Sequence, residues 1–245
     1  MEAVLKSRDG SLTFFNQEFG ECYHSLKDGA YTETLHKHIL PPILFANSLQ
    51  KPCLKILDIC FGLGYNTFTT AIEYRKMGYK GRIEIFSPEK DRGVFEKILA
   101  LKYPCELLGL DIAKIIHTLQ STNNISGTSS ASSVFITPHT SLELFIGDAR
   151  DYFHQFSDGS MDIIYQDAFS PRVNPDLWDK EYFLELFRLS HSESIITTYS
   201  TNTEIFLNAK NAGFLVYKYN SKHTRKSTLF LKTPLAEHKD LSLWG

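Results

Sequence analysis

Residues 55–67 read Lys-Ile-Leu-Asp-Ile-Cys-Phe-Gly-Leu-Gly-Tyr-Asn-Thr, a short apolar run that ends on a carboxylate and turns through two glycines into a helix-like segment. This is the strand–loop–helix opening of a nucleotide-cofactor fold, in which glycine lets the backbone come close to the ligand, although two glycines after a strand are a weak signal alone. The details separate one ligand class from another. A dinucleotide fingerprint has a third glycine where Thr67 stands, and its pyrophosphate rests on the helix N-terminus. Here Asp58 precedes Gly62 and Gly64, and no basic residue adjoins them to meet a phosphate. S-adenosyl-L-methionine (SAM) carries an ammonium and a sulfonium and no phosphate, so it suits this carboxylate better.

From Lys55 onward the pattern is β-α repeated, which implies a parallel sheet with helices on both faces. Strands are predicted at Arg82–Phe86, Ser141–Phe145, Met161–Gln166 and Ser194–Tyr199. Helices are predicted at Tyr65–Met77, Asp91–Lys102, Leu108–Leu119, Trp178–Leu189 and Thr203–Asn211, the last closed by Gly213. Phe214–Tyr219 and Ser227–Lys232 pair as an antiparallel end to the sheet. Upstream, residues 1–50 read as an appendage packed on a 51–245 core. It has short strands at Ser11–Asn16 and Glu21–Ser25, a helix at Tyr31–Leu40, and Pro41-Pro42 opening another. The Ser/Thr/Asn-rich run at about 120–135 reads as a flexible surface insertion.

Composition bounds the rest. A hydrophobic share of 42% with 22% charged residues is that of an ordinary globular chain with a full core. No apolar run reaches membrane-spanning length, and Met1-Glu2-Ala3-Val4-Leu5-Lys6 has no signal-peptide core, so a cytoplasmic protein without a membrane partner is expected. The four cysteines have no metal spacing and read as reduced thiols, with Cys60 a small core residue. His36 and His38 fall on different helix faces, so no metal is expected. A net charge of −2 does not advertise nucleic-acid binding, and such a partner must meet a local patch.

Ligands of open α/β sheets sit outside the C-terminal strand ends. Asp58, Glu89, Asp148 and Asp167 all stand at such ends. One strand-end carboxylate is ordinarily a cap or a solvated turn, whereas four at one edge outline a site. Glu89, about 20 residues past the loop, is placed for a ribose diol. Asp148 and Ala149 offer an acceptor and an N–H to adenine. The stretch from Asp167 to Trp178, Asp-Ala-Phe-Ser-Pro-Arg-Val-Asn-Pro-Asp-Leu-Trp, is stiffened by two prolines and is either a rigid helix cap or a wall of the reaction site.

Phe15-Asn16-Gln17-Glu18-Phe19, Glu33-Thr34, Phe61-Gly62-Leu63-Gly64-Tyr65-Asn66, Glu89-Lys90, Gly147-Asp148, the Asp167–Trp178 loop and Thr224-Arg225-Lys226 together carry a resemblance. The chain resembles the MnmC methyltransferase domain family in its stand-alone, MnmD-like form, over about residues 12–232. The resemblance implies a class I SAM-dependent methyltransferase (Rossmann-like) α/β fold. The implied reaction is methyl transfer to the amine of 5-aminomethyl-(2-thio)uridine at the tRNA wobble position. It implies cofactor contacts from Glu33, Asp58, Phe61, Gly62, Gly64, Asn66, Glu89, Lys90, Asp148, Ala149 and Asp167. Asp167 and Phe169 would act on the amine, with Arg172, Asn174, Lys222, Arg225 and Lys226 toward the tRNA anticodon loop. Many family members carry a fused flavin-dependent oxidase domain. No counterpart stands in these residues, so no FAD is expected, and separate enzymes would supply the aminomethyl group. Two departures stand out: the polar insertion, and Asp58 where the family often has Glu beside a small residue.

Two other functions fit parts of the sequence. Tyr31-x-Glu33-x-Leu35 with His38, and Asp162-Ile-Ile-Tyr-Gln-Asp167, resemble a polyamine-synthase-like aminopropyltransferase, but Asn174-Pro175-x-x-Trp178 has no counterpart there. A non-catalytic tRNA-binding module would not need the intact cofactor edge.

Overall fold

A computed structural model of the chain describes residues 3–123 and 130–245. Met1, Glu2 and the centre of the polar insertion lie outside the described residues. Three short strands, β1 (Val4–Lys6), β2 (Leu12–Asn16) and β3 (Glu21–Cys22), form an antiparallel sheet. A helix in three parts follows: α1 (Ala30–Thr34), a wider π turn over Leu35–Ile39, and α2 (Leu40–Phe45). The prolines were expected to open a new helix, yet the helix runs through both. Proline lacks an N–H, and in an α-helix its ring would collide with the carbonyl four residues back. The wide turn, in which Leu40 N–H reaches Leu35 O, absorbs that conflict. It also turns three consecutive residues, Lys37, His38 and Ile39, inward.

The remaining elements are β4 (Cys53–Ile59), α3 (Tyr65–Lys76), β5 (Arg82–Glu89), α4 (Val94–Ala100), α5 (Ile112–Asn123), β6 (Ser130–Thr137) and β7 (Thr140–Ile146). Then come α6 (Ala149–Phe153), β8 (Met161–Gln166), α7 (Lys180–Leu189), β9 (Ser190–Thr198), α8 (Thr203–Ala212), β10 (Leu215–Tyr219), β11 (Ser227–Leu231) and β12 (Leu241–Leu243). The described strands from β4 onward form one sheet in the order β12-β10-β11-β9-β8-β4-β5-β7-β6. Its centre, β9-β8-β4-β5-β7, is parallel. The antiparallel β10–β11 pair is where the sequence placed it, while antiparallel β6 and β12 close the two edges unforeseen.

Several boundaries moved for local reasons. Asp111 accepts the Lys114 N–H, so α5 starts at Ile112 and not Leu108. Asp91 turns back on the Gly93 N–H, delaying α4 to Val94. The insertion expected to be flexible gives its first residues to α5 and its last to β6, so at its ends the loop expectation is corrected. Ser132 and Ile136 of β6 are buried with Val134 half-buried between them, an alternation too weak to stand out in a serine-rich run.

Each sheet face is covered. Leu54 and Ile56 of β4 pack with α3, α4 and α5, whereas Leu57 and Ile59 pack with α6, α7 and α8. That alternation sets which way every strand-end side chain points.

Candidate active site

β4 pairs with β5 on one side and β8 on the other, so the strand order reverses beside it. Splayed loops at such a reversal leave a crevice at the carboxyl ends of the strands. A cavity of about 780 Å³ opens there, roofed by the β2–β3 segment and floored by the loops after β4, β5, β7 and β8.

The loop after β4 needs its unusual residues. Cys60, Gly62 and Gly64 have φ of 66°, 52° and 72°, a region that side chains rarely adopt. A Cβ on Gly64 would stand 2.5 Å from the Phe68 ring, so glycine is required twice over. Cys60 is not the core residue expected. It lines the cavity in a left-handed conformation, and burial pushes its thiol well above the usual range. Glu89 steadies the loop by accepting the Gly62 N–H at 2.8 Å and the Asp91 N–H at 2.8 Å. Burial pushes its carboxyl up, although those backbone bonds pull the other way. Each oxygen keeps a second lone pair for a ligand.

Asp167, just past β8, is the most constrained carboxylate of the cavity. Its Oδ2 accepts Asn66 Nδ2–H at 2.9 Å, and its Oδ1 lies 3.5 Å from His38 Nε2. Thr34 Oγ1 fixes the Asn66 amide by donating to its Oδ1 at 3.0 Å. Burial alone would push Asp167 up, but His38, His24 and Asn66 hold it below the ordinary carboxylate value. The loop that follows is rigid because its carbonyls are used. Trp178 Nε1–H donates to Phe169 O at 2.8 Å, and Tyr199 O–H to Ala168 O at 2.9 Å. Glu21 of β3 accepts from the Ser170 N–H and hydroxyl, tying this loop to the N-terminal sheet. Phe19 stacks on Phe169 with centroids 4.6 Å apart.

Of the residues selected from the sequence, Glu33, Phe61, Gly62, Asn66, Glu89, Lys90, Asp148, Ala149, Asp167, Phe169, Asn174 and Arg225 all line this cavity. Asp58, Gly64, Arg172, Lys222 and Lys226 do not. Asp58 is a correction with a clear cause. Strand alternation puts it on the Ile56 face, fully buried under α3, where it accepts from Thr67 Oγ1 at 2.7 Å and Asn66 Nδ2 at 3.2 Å. Arg172 is mostly exposed and pairs with Glu21 at 3.1 Å. Lys222 and Lys226 are exposed on the β10–β11 connection. Arg225 is engaged as well, with its Nε 3.0 Å from Asp28 Oδ2. The same Asp28 oxygen takes the buried Lys37 ammonium at 2.9 Å, which also pairs with Glu33.

Sequence reasoning gave no site role to His24, Tyr23 and Glu21, and none to Phe19 and His38 beyond naming them among residues that carry a resemblance. His24 lines the cavity, nine-tenths buried, with its Nδ1 lacking a hydrogen-bond partner among the described residues, and burial lowers its pKa. Tyr23-His24-Ser25 carried no metal or catalytic spacing, so only its place opposite the glycine loop reveals it. Among the described residues no three His, Cys, Asp or Glu side chains converge as a metal site requires. Nor is any helix there long and apolar enough to cross a membrane.

The mixed, mainly parallel sheet, the reversal beside β4 and the small N-terminal sheet define a class I methyltransferase-like α/β fold. A family model described as S-adenosyl-L-methionine-dependent methyltransferase matches residues 111–231. MNMC2 from Aquifex aeolicus superimposes with a TM-score of 0.75 at 26% identity, covering 98% of this chain and 73% of that one. The bifunctional tRNA 5-methylaminomethyl-2-thiouridine biosynthesis protein MnmC of Pseudomonas putida (strain W619) is 26% identical over 211 residues, 83% of this chain. MJ0670 of Methanocaldococcus jannaschii is 25% identical over 238 residues, 94% of this chain. The chain spans 31% of the length of that MnmC protein and 60% of MJ0670. In sequence and in fold the chain is similar to the MnmC-like SAM-dependent methyltransferase domains.

The match to a SAM-dependent methyltransferase model implies SAM as the cofactor, and the cavity suits it. Carboxylates outnumber cations in the lining, and Arg150 and Arg225 are already paired with Asp179 and Asp28. A positively charged ligand meets uncompensated negative charge there, whereas a pyrophosphate would be repelled. The volume lies within the range of about 300–1,000 Å³ usual for small-ligand clefts.

Proposed function

We propose that the protein methylates the primary amine of 5-aminomethyl-(2-thio)uridine at the wobble position of tRNA, in the cytoplasm, on nucleosides prepared by separate enzymes. What carries this is one geometric fact. Asp167 accepts from Asn66 on one oxygen and has His38 Nε2 3.5 Å from the other, at the head of the proline loop and two residues from the Phe169 wall. The name of the Pseudomonas relative supplies the substrate class.

In this reading SAM contributes a methyl on a positive sulfur, and the chain's residues do the placing. Glu89 and Asp148 hold the adenosine end, with Gly62 admitting the backbone close to the methionine part. Residues 1–50 act as an appended wall whose Glu33 closes the cavity. Displacement at a methyl disperses charge and creates none, so alignment counts for more than strong acid–base catalysis. Asp167, ionised through the neutral range, accepts an N–H of the neutral amine and directs its lone pair. Because its charge favours the ammonium, Asp167 is an aligning acceptor and a poor base. Phe169 with Phe19 presents an aromatic surface to the uracil ring, which is already accessible in an anticodon loop.

Incubation with labelled SAM and tRNA bearing 5-aminomethyl-uridine tests this directly. Label should appear in 5-methylaminomethyl-uridine after digestion to nucleosides. Label found only in a free diamine supplied in parallel, or in neither, would refute the assignment.

A further inference from the structure

We propose that His38 is a positioning residue of the transfer site, holding the Asp167 carboxylate through Nε2–H so that its free lone pairs face the acceptor amine. This rests on the reading above in which Asp167 receives that amine.

His38 is fully buried on the wide turn between α1 and α2. Its Nδ1 is 2.7 Å from Thr197 Oγ1, whereas its buried Nε2 has no hydrogen-bond partner among the described residues and lies 3.5 Å from Asp167 Oδ1. Its ring edge meets Tyr165 at 5.6 Å. Register explains the convergence. Tyr165 and Thr197 are cross-strand partners, and alternation puts Asp167 on the face they share. The turn forced by Pro41 and Pro42 then delivers His38 to that face.

The hydrogens can be assigned by elimination. If the neutral ring donated from Nδ1 to Thr197, the hydroxyl hydrogen would have no acceptor among the described residues, and a bare Nε2 lone pair would confront a carboxylate oxygen. If Thr197 donates to Nδ1, Nε2 carries its hydrogen toward Oδ1 and every group is used. Protonation of the ring leaves the Nε2–H donor in place. With Asn66 on Oδ2 and this donor directed at Oδ1, the carboxylate would be oriented from both oxygens, and a carboxylate free to rotate about its side-chain bonds would offer the amine no fixed direction. The charged or titratable groups around His38 are Asp167 beyond β8, Asp58 on β4 and His24 beyond β3.

Nitrogen NMR of the ¹⁵N-histidine-labelled full chain, with His38 assigned by its loss in His38→Gln, reads the contact without any substrate. A protonated Nε2 whose resonance moves in Asp167→Asn is expected. A neutral Nδ1–H ring, or indifference to Asp167→Asn, overturns the proposal. Single-turnover transfer to tRNA bearing 5-aminomethyl-uridine supplies the second readout. His38→Leu should slow the step roughly 10–100-fold with SAM affinity unchanged, and His38→Gln, whose amide can donate, should recover most of it. A His38→Leu rate equal to wild type, or Gln no better than Leu, also overturns it. By contrast, a wild-type rate in Asp167→Ala sinks the reading of Asp167 while the NMR result on His38 stands separately.

Discussion

Asp58 offers the sharpest test of the electrostatics. It is fully buried, and burial, aided by the nearby Asp167 charge, pushes its carboxyl up to about 7 against the pull of the Thr67 and Asn66 bonds. A carboxyl raised on folding stabilises the native state below its unfolded value near 4, and that contribution disappears as pH climbs through the folded value. At about 1.36 kcal/mol per pH unit the whole loss is about 4 kcal/mol, of which roughly 2.5 kcal/mol falls between about pH 5 and pH 8. Asp58→Asn keeps the shape and cannot ionise. Whatever it changes in hydrogen bonding acts alike at every pH and cancels from the comparison. Urea unfolding of both proteins without ligand at the two pH values should therefore show the variant gaining roughly 2–3 kcal/mol on wild type at the higher pH. Parallel pH dependences would refute the argument, since they would mean that Asp58 ionises in the fold as easily as in the unfolded chain.

Asp148→Ser, which keeps a cap for α6 in place of the present bond to the Arg150 N–H, should weaken SAM binding by about 1–3 kcal/mol in isothermal titration; an unchanged affinity would remove that carboxylate from the adenosine site. Gly64→Ala should cost at least about 1–3 kcal/mol of stability, because a left-handed φ and the Phe68 ring both oppose the methyl; a melting curve coincident with wild type would contradict this. Asp167→Ala should cut single-turnover methyl transfer far more than SAM affinity, and an unaltered rate would reduce Asp167 to a structural role. Lys222→Ala with Lys226→Ala should flatten the salt dependence of tRNA binding by one to two charges, read by filter binding, and an unchanged slope would place the tRNA on another face. Arg225 is left out of that pair because its loss would also free the buried Asp28.

What the sequence made legible was local. Gly62 and Gly64 before a helix, and Glu89, Asp148 and Asp167 at strand ends, mark the edge where the cavity opens because each signal lies within a few residues of its cause. Asp58 was misjudged although the information was present. It shares the parity of Leu54 and Ile56, and the first turn of α3 offers Asn66 and Thr67 to receive it. Counting alternate residues would have turned it inward. Arg225 looked like a free cation because its partner Asp28 lies 197 positions away in sequence.

His38 was beyond reach for a deeper reason. Its place depends on two prolines that widen a helix from ahead, on the pairing of Tyr165 with Thr197, and on the parity of Asp167, three facts from separate parts of the chain. None of them alone suggests chemistry, and in the sequence His38 stood out only as part of the aminopropyltransferase-like motif. The same geometry explains why the prolines matter to the site as well as to the helix. Lys37, His38 and Ile39 of the wide turn are all buried, with Lys37 tying Glu33 and Asp28 while His38 Nε2 faces Asp167 at 3.5 Å. One local distortion thus sets both the cavity wall at Glu33 and the direction of the carboxylate opposite it.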